Sequence, residues 1–178
     1  MSIIVNGTAI NSLNVGNTQV KKVLVRQNES SEYTVVYVDG YPSIPAYNVV
    51  QVSSTASQQF KLNSNGYYES QCKGINNGWS LCKVEFNKSG SYTLKCISNG
   101  ENNYDFGILS TINHTLSASN TVDTSGVHKS FKGLSSTAVQ TVTYNNVSGG
   151  DYIYVKYRKD SSVNSGNDSL QFKVVLAS

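Results

Sequence analysis

The chain has 178 residues, of which 38% are hydrophobic and only 14% are charged, and its formal net charge is +3. This length suits one moderate domain or a domain with a small appendage, and the abundance of Ser, Thr, Asn and Gly favours strands and turns over helices. The mild charge, without a Lys/Arg stripe, argues against a nucleic-acid partner, and no apolar run is long enough to insert into a membrane.

The N-terminal sequence indicates where the chain is made, and the cysteines and histidines indicate whether it binds a metal. The opening MSIIVNGTAINS has no basic segment and no long apolar run, so we expect no signal peptide and synthesis in a cytoplasm. Three cysteines cannot all pair, and no C-x-x-C is present. His114 and His128 are far apart in sequence, so a zinc site is not supported and we expect no cofactor.

The first 40 residues predict a small β-ribbon that is a candidate anchor. Both prolines of the chain, Pro42 and Pro45, follow this ribbon, and proline cannot donate to a strand ladder. We therefore predict a boundary here, with a ribbon at 1–40 and a larger module at 46–178. The strands predicted in the ribbon are Ile3–Val5, Val20–Gln27 and Tyr33–Val38.

After this boundary, alternating apolar residues and turn-rich connections predict an all-β module. No window carries a helical apolar pattern that alternation does not explain better. The fold class that we predict is a jelly-roll-like β-sandwich. The predicted strands span 47–53, 58–62, 78–86, 91–98, 105–112, 127–132, 138–144, 151–158 and 169–176.

Two of these strands predict a hairpin whose register can be derived. A three-residue loop, Lys88–Gly90, lets both strands bury their less charged faces and supplies glycine where a bulged turn needs a positive φ. This register sets Phe86 on Tyr92 and Cys82 directly opposite Cys96. The two inward cysteines are then either small buried hydrophobes or a strained disulfide.

The segment from Tyr152 to Arg158 alternates with period two, which is typical of a half-buried strand. Tyr152, Tyr154, Lys156 and Arg158 share one face, and Ile153, Val155 and Tyr157 share the other. The following strand, 170–176, pairs with it as a long hairpin or lies in a facing sheet. The row that begins with Tyr152 is either an exposed ligand platform, where aromatic rings stack on sugars, or the second face of an inner strand.

The polar loop between these strands is the most site-like element. Asp160 and Asp168, with asparagines and hydroxyls between them, offer the oxygen ligands that Ca²⁺ prefers, but the D-x-D-x-D-G spacing of a calcium loop is absent. The alternative is that both carboxylates cap turns. Asp168 is also placed to pair with Arg158 or Lys159 at the base of the loop.

Other candidate binding residues lie at strand starts and on loops. Trp79, the only tryptophan, is either a core or edge anchor or a sugar platform. Tyr104 and Asp105 fall on a loop, where binding residues concentrate. No pair of acids, nucleophile motif or phosphate-cradling loop stands out, so we do not expect an enzyme.

The segment VKYRKDSSVNSGNDSLQFKV resembles the late strand-loop-strand of jelly-roll modules in bacterial and phage surface proteins. Lys159, Asp160, Gly166 and Asp168 match that pattern. The chain has Gln171-Phe172-Lys173 where the family's closing strand has an aromatic or acidic residue. The resemblance implies the fold more than a particular ligand.

The opening, VNGT…VKKVLVRQNES…YTVVYVDG, is similar to the short β starts of tail and other virion proteins in phages of gut bacteria. It implies a structural or adhesive part of a phage virion: head decoration or fibre, baseplate or tail fibre. The implied partners are other virion proteins, further copies in a trimer or ring, and a host-surface glycan. Val23 and Val25 are the candidate assembly edge.

The alternative is a free carbohydrate-binding module or a lectin-like cell-surface domain. It predicts glycan binding by the isolated chain and loss of that binding when Trp79 or Tyr154 is changed to Ala.

Overall fold

The computed structural model describes residues 45–100, 104–134, 136–160 and 168–177, together with the backbone of six short strands before them. The chain divides into two units, Met1–Ile44 and Pro45–Ser178.

The first unit contains three antiparallel strand pairs. They are β1 (Ile3–Val5) with β2 (Thr8–Ile10), β3 (Asn14–Val15) with β4 (Thr18–Gln19), and β5 (Lys22–Val25) with β6 (Thr34–Val38). The candidate assembly residues lie in β5, where Val23 is opposite Tyr37 and Val25 is opposite Thr34. Their side chains lie outside the described residues.

The second unit is a sandwich of two five-stranded antiparallel sheets, which confirms the predicted all-β fold class. Sheet I has the order β13-β12-β15-β10-β7, and sheet II has the order β14-β11-β16-β9-β8. Apart from one 3₁₀ turn, Ala56–Gln58, the described residues contain no helix. The strands are β7 (Tyr47–Gln51), β8 (Phe60–Leu62), β9 (Tyr68–Ser70), β10 (Trp79–Phe86), β11 (Gly90–Asn99), β12 (Phe106–Ser110), β13 (Val127–Ser130), β14 (Gln140–Val147), β15 (Tyr152–Arg158) and β16 (Ser169–Leu176).

The main core fills the space between the two sheets, because alternate residues of each strand point inward. In β15 the inward residues are Ile153, Val155 and Tyr157, all fully buried, as the alternation predicts. Burial of each large side chain contributes roughly 1.5–3 kcal/mol of hydrophobic free energy. The aromatic members of this core are Phe60, Phe86, Tyr92, Phe131, Tyr144, Tyr157 and Phe172.

The predicted hairpin of β10 with β11 is wrong, because the two strands lie in different sheets. Strand β10 pairs with β15 and β7, and β11 pairs with β14 and β16. The chain instead crosses between the sheets over residues 87–89. Phe86 and Tyr92 still touch, with ring centroids 4.4 Å apart, but across the sandwich. Cys82 and Cys96 are both buried and unbonded.

A second, smaller apolar cluster lies on the outer face of sheet I. Leu81, Phe106 and Ile108 of that face are buried together with Leu116, which comes from the connection between β12 and β13. This connection, residues 111–126, therefore covers part of the sheet that would otherwise face solvent. The cover decides which residues of β15 remain accessible.

Candidate functional site

The structure gathers six of the predicted binding residues at one end of the sandwich, where β10 and β12 begin and β15 ends. They are Trp79, Tyr104, Asp105, Arg158, Asp160 and Asp168. The accessible part of this end is called the loop rim here and consists of Asn77, Trp79, Tyr104, Asn120 and Arg158. These residues come from four separate segments, so only the fold brings them together.

The guanidinium of Arg158 is held in place by two loops. Its Nη1 donates to the carbonyl oxygen of Tyr104 at 2.8 Å, and its Nε donates to the carbonyl oxygen of Asn120 at 3.0 Å. It also lies over the ring of Phe106, 5.6 Å from the centroid. Arg carries five N–H donors, so the half-buried fork retains donors beyond these two bonds for a ligand.

Two aromatic residues are neighbours of this arginine. Trp79 is the cross-strand neighbour of Arg158 in the β10–β15 ladder; it is half-buried and packs against the smaller apolar cluster. Tyr104 is 61% exposed and supplies the carbonyl that holds Nη1. The predicted alternatives for Trp79, edge anchor and ligand platform, are therefore both compatible with its position.

Two asparagines join the loops of the rim. The Nδ2 of Asn120 is 3.4 Å from the Oδ1 of Asn77, and the backbone N–H of Asn77 donates to the carbonyl of Asp160 at 2.5 Å. Asn77 has a φ of 52°, a left-handed conformation that asparagine tolerates better than most residues. Neither was predicted from the sequence as a rim residue, although Asn76-Asn77-Gly78 is a combination typical of a turn.

A buried ionic cluster of Asp105, Lys159 and Asp168 lies at the same end of the sandwich. The Nζ of Lys159 is 2.5 Å from the Oδ2 of Asp168 and 3.6 Å from the Oδ2 of Asp105. The other oxygen of Asp105 accepts the backbone N–H of Asp160 at 2.5 Å. Of the two predicted partners of Asp168, the structure thus selects Lys159.

The pKa values of Asp105 and Lys159 are both raised, but the causes differ. Burial raises the pKa of the Asp105 carboxyl above its ordinary value, despite the bond from Asp160 and the charge of Lys159. Burial alone lowers the pKa of Lys159, but the hydrogen bond to Asp168 and the charge of Asp105 outweigh it and raise that pKa. The ammonium is therefore charged at neutral pH and needs its carboxylates.

The position of Lys156 differs from the predicted exposed row of Tyr152, Tyr154, Lys156 and Arg158 on β15. Its side chain is fully buried under residues 111–126, where Nζ donates to Asp123 Oδ2 at 2.6 Å, to Thr121 O at 2.7 Å and to Ser117 Oγ at 2.9 Å. β15 is the central strand of sheet I, so the alternative prediction, an inner strand with two covered faces, holds at this position. An uncovered lysine would reach solvent.

The other two predicted site residues, Tyr152 and Tyr154, lie toward the opposite end of β15. Both are half-buried, and their rings meet edge to face with centroids 5.8 Å apart. Lys83 lies 5.6 Å from the centroid of Tyr152 and pairs with Glu85 at 2.5 Å. This pair of tyrosines is a second accessible aromatic surface, separate from the loop rim.

In the described ranges, no three His, Cys, Asp or Glu side chains are arranged to hold a metal ion. Asp105 and Asp168 are both directed at Lys159, which occupies the position that a cation would take between them. Nor does this part of the chain contain a helix that is long and apolar enough to cross a membrane.

The chain was compared with known protein families, curated proteins and solved structures, and only solved structures show similarity to it. No protein-family model matches the chain, and no curated protein matches it significantly. The K3 cleaved adhesin domain of Lys-gingipain from Porphyromonas gingivalis w83 is 10% identical over 75% of this chain and 92% of that domain, with a TM-score of 0.39. A CBM35 from Cellvibrio japonicus Abf62 is 14% identical over 74% of this chain and 98% of its own, with a TM-score of 0.34.

A family 35 carbohydrate binding module from an environmental isolate is 13% identical over 74% of this chain and 91% of its own length, with a TM-score of 0.32. With TM-scores below 0.5, these similarities carry no information about the ligand of this chain. None of the three is described as a phage protein, so membership of a virion stays a prediction.

Proposed function

We propose that the sandwich is a non-catalytic adhesion module that binds carbohydrate at the loop rim. The observation that carries the proposal is the half-exposed guanidinium of Arg158, which the carbonyls of Tyr104 and Asn120 hold in place beside Trp79. A sugar has apolar C–H faces and a circumference of hydroxyl groups. Aromatic rings suit the faces, and a planar fork of N–H donors suits the hydroxyls.

The exposed amide of Asn77 strengthens this match, because an amide both donates and accepts hydrogen bonds, as a hydroxyl does. Loops supported by a rigid sandwich are also where binding residues concentrate. The rim combines loop residues with the ends of β10 and β15, so a supported strand end carries the arginine that would contact the sugar.

We propose that Asp105 and Asp168 do not carry out glycoside hydrolysis. That reaction needs two carboxyl groups placed on either side of the bond to be cleaved. Asp105 and Asp168 are buried and directed at Lys159, so neither reaches a sugar at the rim.

The test is a glycan array probed with the full chain, followed by titration of the best ligand into variants. We expect Tyr104→Ala and Arg158→Lys each to weaken binding by about tenfold, the equivalent of about 1.4 kcal/mol. Leu62→Ala is the matched control. The exposed fraction of Leu62, 62%, is close to the 61% of Tyr104, but Leu62 lies in sheet II, away from the rim. Absence of any glycan binding by the folded chain would contradict the proposal.

Tyr152→Ala distinguishes the two aromatic surfaces. If the loop rim binds the ligand, this change leaves the affinity unaltered. If Tyr152→Ala abolishes binding while Tyr104→Ala does not, the ligand lies on the open face of sheet I and the rim is not the site.

The finer proposal is that this module belongs to a phage particle, with the first unit as its anchor. The resemblance of the opening residues to virion proteins supports it. Replacing Val23 and Val25 with Asp places charges in β5 and should prevent incorporation into particles while the sandwich stays folded. Mass spectrometry of purified particles measures this, and normal incorporation of the variant would count against the anchor.

A further inference from the structure

Lys159 and Asp168 meet in surroundings that are unusual for an ion pair. The side chains of Lys159 and Asp105 are 0% exposed, and that of Asp168 is 7% exposed. One ammonium therefore faces two carboxylates, and the Oδ2 of Asp105 is buried without a hydrogen-bond partner in the described residues. Burial of charge without full compensation costs free energy, so the presence of these three groups together needs a chemical explanation.

We propose that Lys159 and Asp168 condense into an intramolecular amide, an isopeptide bond between Nζ and Cγ, with Asp105 transferring the proton. An amide in this position replaces two buried charges with one neutral group. The proposal is independent of any ligand at the loop rim.

The atoms balance without an added reagent. One proton of the Lys159 ammonium passes to Asp168, and the free amine nitrogen then forms a bond to Cγ. Asp105 accepts a second proton from that nitrogen and delivers it to the departing oxygen of Asp168. The C–O bond breaks, water leaves, and Asp105 is ionised again.

Two properties of the cluster suit this sequence of steps. The Nζ of Lys159 is already within 2.5 Å of the carboxylate that it would attack, so little movement is needed. Burial raises the pKa of Asp105, so this carboxyl holds a proton more readily than an exposed aspartate does.

Other ion pairs in the described residues lack one of these properties. Lys83 and Glu85 are also 2.5 Å apart, but both are partly exposed to water. Lys156 and Asp123 are 2.6 Å apart with Lys156 buried, but the remaining partners of that lysine are a hydroxyl and a carbonyl. That pair has no second carboxyl to move a proton, so it serves as an internal control.

The bond would join the end of β15 to the start of β16, and these strands belong to different sheets. It would tie together residues nine positions apart and link the two sheets covalently at the end that carries the loop rim. The chain has no disulfide to do this, since all three cysteines are free.

The primary test is the intact mass of the purified, folded full chain. We expect it to be lower than the mass of the encoded sequence by one water molecule. Protease digestion should give one branched peptide that contains Lys159 joined to Asp168. A chain of full encoded mass, or a missing water that maps to a linear peptide, overturns the proposal.

Variants assign the roles. Lys159→Arg should abolish the mass loss. Asp105→Asn should slow it at least about tenfold, because positioned proton transfer accelerates reactions by about a hundredfold or more. Asp123→Asn is the control and should leave the mass loss unchanged. If Asp105→Asn folds, as judged by circular dichroism, and still loses water at the original rate, Asp105 is not the proton-transfer group.

Discussion

The side-chain amide of Gln51 bonds to both backbone polar groups of Phe60. Its Nε2 donates to the carbonyl oxygen of Phe60, and its Oε1 accepts the N–H of Phe60, each at 2.8 Å. Gln51 lies in the edge strand of sheet I and Phe60 lies in the edge strand of sheet II. The amide thus imitates one rung of a ladder and ties the two sheets together at their edges.

Gln51→Ala should lower the free energy of unfolding by about 2 kcal/mol, because two hydrogen bonds of about 1 kcal/mol each are lost. Urea denaturation measures the change. Gln71→Ala is the control: its side chain makes one local bond, to the carbonyl of Glu69, and should cost less than half as much. Equal losses would show that the bridge between the sheets carries no extra stability.

The Lys156–Asp123 pair predicts loss of stability in acid. Burial favours a higher pKa for Asp123, but the hydrogen bond from Lys156 and the N–H of Ser117 outweigh it, so the pKa is lowered in the folded chain. A carboxyl with a lowered folded pKa stabilises the fold above its unfolded pKa of about 3.9. That stabilisation is lost as the pH falls through the lowered folded value.

Asp123→Asn should cost about 3 kcal/mol at neutral pH, because it leaves Lys156 buried without its carboxylate. The difference from the original chain should shrink as the pH falls below about 4. Denaturation curves over this pH range measure both. A difference that stays constant with pH would mean that Asp123 is not ionised in the folded chain.

Gly100→Ala should be strongly destabilising on steric grounds. A Cβ at Gly100 would lie 2.1 Å from the carbonyl oxygen of Asp105, a backbone atom that cannot move aside. We expect a loss of about 3 kcal/mol. Gly107→Ala is the comparison, because its Cβ would meet the side-chain end of Leu170 at 2.7 Å and a smaller loss should follow. The order of the two melting temperatures checks this.

The three cysteines should be unreactive until the chain unfolds. Burial raises the pKa of Cys72 to about 11 and that of Cys96 to about 12, and it also raises the pKa of Cys82. Because the thiolate is the nucleophile, a thiol reagent at neutral pH should label none of them in the native state and all of them in denaturant. Rapid labelling of native Cys72 would show that the loop before β10 opens.

Local patterns in the sequence predicted the strands of the sandwich well, because alternation reports directly on a half-buried strand. The alternation from Tyr152 to Arg158 matches β15 residue by residue, and 169–176 matches β16. The short β9 was missed, because its sequence, Tyr-Glu-Ser, buries a serine and so shows no apolar alternation. The pairing of β10 with β11 was wrong because a three-residue connection suits a crossing between sheets as well as a hairpin.

The residues of the candidate site were also predicted only in part. The sequence alone identified Trp79, Tyr104 and Arg158 as separate candidates on strand ends and loops. It gave no reason to place Asn77 or Asn120 beside them, because loops that are distant in sequence meet here only when β10, β12 and β15 pair in sheet I. It also could not show that residues 111–126 cover Lys156, since alternation tells which residues share a face and not what lies over that face.

By itself, then, the sequence determined an all-β chain and the inward face of its strands, because solvent exposure and side-chain spacing act over neighbouring residues. The tertiary structure alone decided which strands are neighbours and which charges are buried together. Asp105 and Lys159 are 54 positions apart, and they meet because β12 and β15 lie side by side in sheet I. Contacts of this range follow from which strands pair within a sheet, which no local pattern encodes.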